Sequence, residues 1–408
     1  MRKDLLVLGL LASLLFGWRL GSQDFWEPDE PDFALISREM LVSGDWVVPT
    51  RNGTAYAEKP PLVYWMVAGL GKLTGTGVNG WTGRIPSAFC GVLGVLAVYL
   101  AGCRWLCRQA GICAALVLMT MPLWLVKARW LLTDMPLAGF LAVAVLGMAR
   151  GVLDREPPPL WSFAALALAW LSKGPLAGAL AFIAIVGAGL ALRRNPFPHL
   201  GRWILGGCVF LLIAAPWYLL VRHRAPAVFE EVLWGQNARF LQSASHARPV
   251  HYYLVPILYN LLPWSPAVLA GAWLGWKRRR AQPVLGLVLA WLLGGLLLLS
   301  VAKVKQEKYL LPLLPAAALL GAWALESEAL RKWVCRLGVW ILLLAAGVFS
   351  IAAWHFDPSL WGMVLAAALC GLAVAAFPSV PCLAAAFAVF FLAAFPLVLP
   401  LVDRQKSA

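Results

Sequence analysis

An all-α polytopic membrane protein is the fold class this chain predicts, and three observations predict it. Of its 408 residues, 62% are hydrophobic and only 13% charged, about half the charged share of an ordinary soluble domain. Apolar runs of spanning length recur along the chain, separated by short breaks rich in Pro, Gly or charge. The 22 Trp residues suit aromatic belts at many helix ends. Mean hydropathy is +0.77. No polar stretch is long enough to fold apart from the bilayer, so residues 1–408 read as a single transmembrane domain with no C-terminal soluble domain.

The basic start, Arg2 and Lys3, leads into an apolar run at 4–20. A signal peptide shares that layout, but no small-x-small cleavage site precedes the acidic stretch that follows, so an uncleaved first span is expected. An outer loop then occupies 21–83. Within it, Pro31 suits the first position of a short helix running through Met40. Phe33, Ile36 and Met40 share one face and Arg38 and Glu39 another, the pattern of a helix lying on the membrane surface. A second short helix starts at Pro61 and carries Tyr64 and Trp65. Further spans are expected near 84–106, 110–127, 133–150, 160–171, 175–192, 202–221, 252–275, 283–302, 309–325, 333–354, 359–377 and 380–401, about thirteen with the first. The run at 160–171 is too short to cross alone. A second outer loop covers 222–251.

The chain carries 34 Lys and Arg against 19 Asp and Glu. With the N-terminus inside, short inner loops collect Arg193-Arg194, Lys277-Arg278-Arg279-Arg280 and Arg331-Lys332, as the positive-inside rule asks. The outer side nevertheless keeps Lys59, Lys127, Arg129, Lys173, Arg222, Arg224, Arg239, Arg248, Lys303, Lys305 and Lys308. The orientation rule does not call for these. An anionic substrate on that face does; a nucleic-acid partner is not expected. The eight cysteines lie in apolar spans or at their ends and outline no disulfide framework. Cys103 and Cys107 share a helix face, but nothing completes a metal site there.

The polar exception is the stretch from Phe25 to Trp65. Glu27, Asp29, Glu30 and Asp32 crowd together at a cost in repulsion and desolvation, which favours a chemical role over a folding one. Pro28 and Pro31 flank Asp29 and Glu30 and should hold a stiff, extended turn. A carboxylate fixed there could take a proton from an acceptor hydroxyl or amine. Helix capping explains one such acid well and four poorly. Lys59, in Glu58-Lys59-Pro60-Pro61, could bind phosphate or snorkel toward headgroups. Asp134, at the outer start of a span, is either a functional acid at membrane depth or a helix cap. Lys173 sits between Ser172 and Gly174 just before a helix opened by Pro175, a good place for a phosphate. Arg239, in Gln236-Asn237-Ala238-Arg239-Phe240, offers a planar fork for phosphate oxygens. The nearby His223, His246 and His251 have no diagnostic metal spacing. Lys303, Lys305, Lys308 and Tyr309 sit at headgroup level or close over a lipid phosphate.

Taken together, these stretches resemble the polyprenyl-phosphate-sugar-dependent glycosyltransferases of the GT-C superfamily. That family includes the aminoarabinose transferases that modify lipid A and the protein O-mannosyltransferases. The likeness is carried by PDEPDFALISREMLVSGDWVVP and NGTAYAEKPPLVYW within 24–66. It continues as TDMPL at 133–137, LSKGPLA at 171–177, PWY at 216–218, QNARF at 236–240 and KVKQEKYLLPLLP at 303–315; beyond that the chain matches only as apolar spans. The resemblance implies a GT-C-like bundle and an inverting enzyme that moves a sugar from undecaprenyl phosphate to lipid A or another envelope glycan or protein. It implies a site on the outer face of a bacterial inner membrane. It makes Asp29 the general base and Asp134 the second catalytic acid. It assigns Lys59, Lys173, Arg239 and Tyr309 to the donor, and the local sequence adds Glu30, Glu58, Lys303 and Lys305 as expected substrate contacts. Aminoarabinose transferases often read Glu-His where this chain has Gln236-Asn237, so no divalent metal is carried over to Glu58 and no cofactor is implied. Aminopentose and hexose donors both fit these residues. The rival class is a transporter or flippase for a polyprenyl-linked or anionic lipid. It asks for repeated halves and broken helices near the bilayer midplane, whereas this chain has no repeat and clusters its charges on one face.

Overall fold

Apolar, helix-favouring sequence between Pro and Gly breaks folds almost wholly as helix. The computed structural model describes residues 1–242, 247–355 and 358–406. Helix α1 (Arg2–Gly17) enters the outer loop, which holds α2 (Asp29–Ser43), a hairpin of β1 (Thr50–Arg51) with β2 (Thr54–Ala55), and α3 (Leu62–Thr74). There follow α4 (Gly80–Trp105), α5 (Arg108–Thr120), α6 (Pro122–Lys127), α7 (Asp134–Asp154), α8 (Leu160–Lys173), α9 (Leu176–Leu192) and α10 (Leu200–Arg224). The second outer loop carries α11 (Pro226–Glu230) and α12 (Gln236–Gln242). The remainder comprises α13 (Leu254–Asn260), α14 (Ser265–Arg278), α15 (Pro283–Leu289), α16 (Gly295–Val301), α17 (Leu314–Ala324), α18 (Glu328–His355), α19 (Trp361–Ala376) and α20 (Val380–Lys406).

Among the described residues, five helices are long and apolar enough to cross a bilayer: α4, α7, α10, α18 and the continuous helix formed by α15 and α16. A sixth crossing would need both arms of the pair 250–260 and 265–278, which are bent by 118°. Five further apolar helices, α3, α5, α8, α9 and α19, have 10–17 residues, and α20 opens with an apolar stretch at 380–394. Among the described residues, helix length and composition thus do not confirm the expected count of about thirteen spans. The run expected to cross at 252–275 is instead broken where Pro263 removes an amide donor from the helix.

Helix α7 is the axis of the bundle. Its apolar window is 89% buried, against 22% in α10 and 17% in α18, which face outward. Small residues allow this enclosure. A Cβ on Gly139 of α7 would lie 2.3 Å from the Cys90 carbonyl oxygen of α4. Gly102 and Gly111 bring α4 and α5 together backbone to backbone in the same way. At the end of α7 remote from the outer loop, Arg104 bridges Asp154 and Glu156, and Arg108 holds Asp4.

The outer loop is a packed unit. Phe33, Ile36 and Met40 share the expected face of α2, but that face is turned onto Val63, Tyr64 and Val67 of α3 and onto Leu131 and Leu132, not toward lipid. Helix α2 also starts two residues earlier than expected, with Pro28 as its N-cap. The extended turn expected at Asp29 and Glu30 is therefore the first helical turn, where a proline is tolerated and acids complement the dipole. Glu39 accepts hydrogen bonds from the Thr50 hydroxyl (2.6 Å) and the Asn52 amide (2.7 Å), tying the hairpin to α2.

Candidate functional site

A cavity of about 580 Å³ opens at the outer-loop end of α7. Asp134 begins α7 and Asp154 ends it, 21 residues in all, so the cavity lies about 30 Å from the Asp154–Arg104 end. Four regions build it. Helix α2 presents Asp29, Asp32 and Phe33, and the segment before α3 presents Tyr56, Glu58 and Lys59. The core helices bring Asp134 and Lys173. The second outer loop brings Gln236, Arg239 and Phe240, and the connection into α17 brings Val304, Gln306, Lys308 and Tyr309.

The charges inside are mostly paired. Lys173 forms an ion pair with Asp134 deep in the wall, and its ammonium sits 4.1 Å from the centre of the Tyr309 ring. Lys308 is paired with Asp29, and Arg239 with Glu231. Tyr309 packs edge-on to Phe240 with ring centres 5.6 Å apart. Lys59 differs. Among the described residues it has no carboxylate in ion-pair contact, and it donates only a long 3.4 Å hydrogen bond to the Gln236 side-chain oxygen. Burial pulls its ammonium below the ordinary lysine range, an effect that Glu58, Asp134 and Asp29 partly offset. Burial, with the nearby Glu58 charge, pushes the Tyr56 phenol up. Such an arrangement can receive a compact anion on Lys59 and present two carboxylates beside it. No group of three or more His, Cys, Asp or Glu able to hold a metal ion occurs among the described residues.

Seven of the anticipated site residues line this cavity: Asp29, Glu58, Lys59, Asp134, Lys173, Arg239 and Tyr309. Three do not. Glu30 is buried behind it, where Arg84 grips both carboxylate oxygens and the amides of Trp26 and Leu131 donate to them. It ties α2 to α4 and has no oxygen left for substrate. Lys303 is exposed away from the cavity. Lys305 is buried and donates to the carbonyls of Ala302 and Arg248, closing the end of α16. The cause is the parity of an extended segment. Val304 bridges Ala247 in strand fashion, so 304 and 306 face the cavity while 303 and 305 face away. Lys308, which the sequence marks only as a headgroup or lipid-phosphate lysine, lines it too, as do Gln306, Asp32, Gln236 and Tyr56, for which the sequence predicts no substrate role. Alternation from Val304 onward was the available signal for the first two. His246 lies outside the described residues.

Known proteins share both the sequence and this architecture. A family model described as dolichyl-phosphate-mannose-protein mannosyltransferase matches residues 58–219. The undecaprenyl phosphate-alpha-4-amino-4-deoxy-L-arabinose arabinosyl transferase of Pectobacterium carotovorum subsp. carotovorum is 32% identical over 361 residues, covering 85% of this chain and 64% of that protein. Its namesake from Yersinia enterocolitica is 30% identical over 330 residues, covering 78% and 59%. The chain thus spans less than two thirds of the length of these relatives. Among solved structures, ArnT from Cupriavidus metallidurans bound to undecaprenyl phosphate superposes with a TM-score of 0.79 at 26% identity, covering 95% of this chain and 76% of that one. An Archaeoglobus fulgidus oligosaccharyltransferase shares the fold, with a TM-score of 0.59 at 14% identity over 95% of this chain and 55% of its own.

Proposed function

We propose, from the premise that this chain is a relative of the polyprenyl-phosphate-sugar-dependent glycosyltransferases and carries their GT-C membrane fold, that it transfers a sugar from undecaprenyl phosphate to an envelope acceptor. The proposed donor sugar is 4-amino-4-deoxy-L-arabinose and the proposed acceptor lipid A, after the relatives' named activity. The proposed setting is the bacterial inner membrane with the cavity on the periplasmic side. One observation carries this reading: segments distant in sequence converge so that four carboxylates, Asp29, Asp32, Glu58 and Asp134, and four cations, Lys59, Lys173, Arg239 and Lys308, line one cavity.

The chemistry follows from that set. An acceptor atom attacks the anomeric carbon from the side opposite the phosphate, and the carbon–oxygen bond to phosphate breaks as the new bond forms. Configuration inverts. The bonding electrons leave with the polyprenyl phosphate, and the acceptor proton passes to Asp29. Negative charge grows on the departing phosphate, where Lys59, Lys173 and Arg239 stabilise it. In a water-poor cavity each well-placed donor contributes about 3–4 kcal/mol to the barrier reduction. Asp134 keeps Lys173 oriented and charged.

The test is a transfer assay with the protein in lipid nanodiscs, radiolabelled undecaprenyl-phosphate aminoarabinose and purified lipid A. Label should move to lipid A with inverted anomeric configuration. Label that crosses the bilayer of a proteoliposome still attached to undecaprenyl phosphate, with none transferred, would make the chain a flippase and end this reading.

A further inference from the structure

The three ion pairs bordering the cavity are not equivalent. Lys173 and Asp134 are 11% and 3% exposed, a closed pair inside the wall. Arg239 and Glu231 are 54% and 31% exposed and belong to one short stretch of chain, so they move together. Lys308 and Asp29 are 17% and 36% exposed and come from separate units, the turn 307–313 and the start of α2. Theirs is the pair that solvent and a ligand can reach and that joins two independently held elements. It also creates a conflict. A carboxylate engaged by an ammonium is a poor proton acceptor, yet Asp29 is the carboxylate placed to act as base.

We propose that Lys308 is a shared cation, held by Asp29 until the donor phosphate takes it over, so that arrival of the donor releases Asp29 to act as the base. This rests on the reading that a polyprenyl phosphate enters the cavity. Geometry supports the exchange. Lys308 is followed directly by Tyr309, whose ring touches Lys173, so Lys308 already borders the cationic side of the cavity. A phosphate offers more charge and more acceptor oxygens than one carboxylate and competes well for an ammonium. Asp29 tolerates the loss, because it sits in the first turn of α2, where the helix dipole favours a carboxylate without any counter-ion. Lys308 is then a donor-binding residue that also controls when the base becomes available.

Binding of tritiated undecaprenyl phosphate to nanodisc-embedded protein tests this without an acceptor. The proteins needed are the parent, Asp29→Asn, Lys308→Gln, the double variant and Lys308→Arg. Asp29→Asn should tighten binding about fivefold by freeing Lys308, and Lys308→Gln should weaken it about tenfold. In the Lys308→Gln background, Asp29→Asn should change affinity by less than about twofold, since no shared cation remains. Lys308→Arg keeps the charge and should retain the response to Asp29→Asn. Equal tightening in both Lys308 backgrounds would mean that Asp29 only repels the phosphate, and the exchange would be refuted. Unchanged or weaker binding in Asp29→Asn would refute it as well. Absence of binding to every protein, the parent included, would defeat the donor assignment itself.

Discussion

Lys59 is the cation most directly available to an anion, and its behaviour with pH follows from its burial. Because burial lowers its pKa below the ordinary lysine value of 10.5, its charge is present below the lowered value and lost as pH rises through it. Affinity for undecaprenyl phosphate should therefore fall on the alkaline side before pH 10.5 is reached. Lys59→Arg should remove the Lys59 share of that limb and leave a shallower one, because a guanidinium does not titrate there; equilibrium binding from neutral to alkaline pH reads both. Asp29→Asn should lower turnover by about 10²-fold or more while the protein stays folded and still binds donor, measured as transfer rate beside a melting curve. Lys303→Gln should change donor affinity by less than about twofold, as at other exposed sites without partners. Most of the cavity's charged lining was legible, because acids and lysines in a hydrocarbon-rich chain stand out by their desolvation cost. Glu30 was misjudged for an instructive reason. Cost of burial marks a partnered structural carboxylate as readily as a reactive one, and only its partner Arg84, 54 residues away, tells them apart.

Elements place these side chains through a few close approaches. The Glu30–Arg84 pair locks α2 against α4 with both groups nearly enclosed, at 1% and 6% exposure. Glu30→Ala should cost about 3–5 kcal/mol of stability, because it strands a buried guanidinium. Asp32→Ala, which breaks the open Asp32–Arg51 pair, should cost about 1 kcal/mol or less. Thermal unfolding in detergent compares the two. Gly139→Ala places a methyl against the Cys90 carbonyl and should lower stability by about 1–3 kcal/mol through overpacking. The hairpin at 50–55 has a local sequence signal: Asn52-Gly53 is the dipeptide that suits two successive left-handed residues, and both have positive φ, 53° and 73°. The break at Pro263 was written in the sequence too, but an apolar run on either side of a proline does not say whether the helix kinks or turns back.

For the whole molecule, function depends on all cavity-lining segments sharing one side of the bilayer. With the native cysteines replaced by serine, Asn52→Cys should react with a membrane-impermeant maleimide added outside spheroplasts, and Arg280→Cys only after the membrane is breached. Equal labelling of both from outside would remove the basis for a single-sided site. The sequence by itself determined that this chain is a helical membrane protein, which segments are polar, and which acids and cations are out of place in hydrocarbon, because composition and local patterning report transfer free energy directly. Tertiary structure decided what each charge is for. It paired Lys308 with Asp29 across 279 residues, enclosed Lys173 with Asp134, and turned Lys303 and Lys305 away from the cavity. Electrostatic energy falls off over a few ångströms, so a charge takes its role from neighbours in space, and spacing along the chain does not encode them.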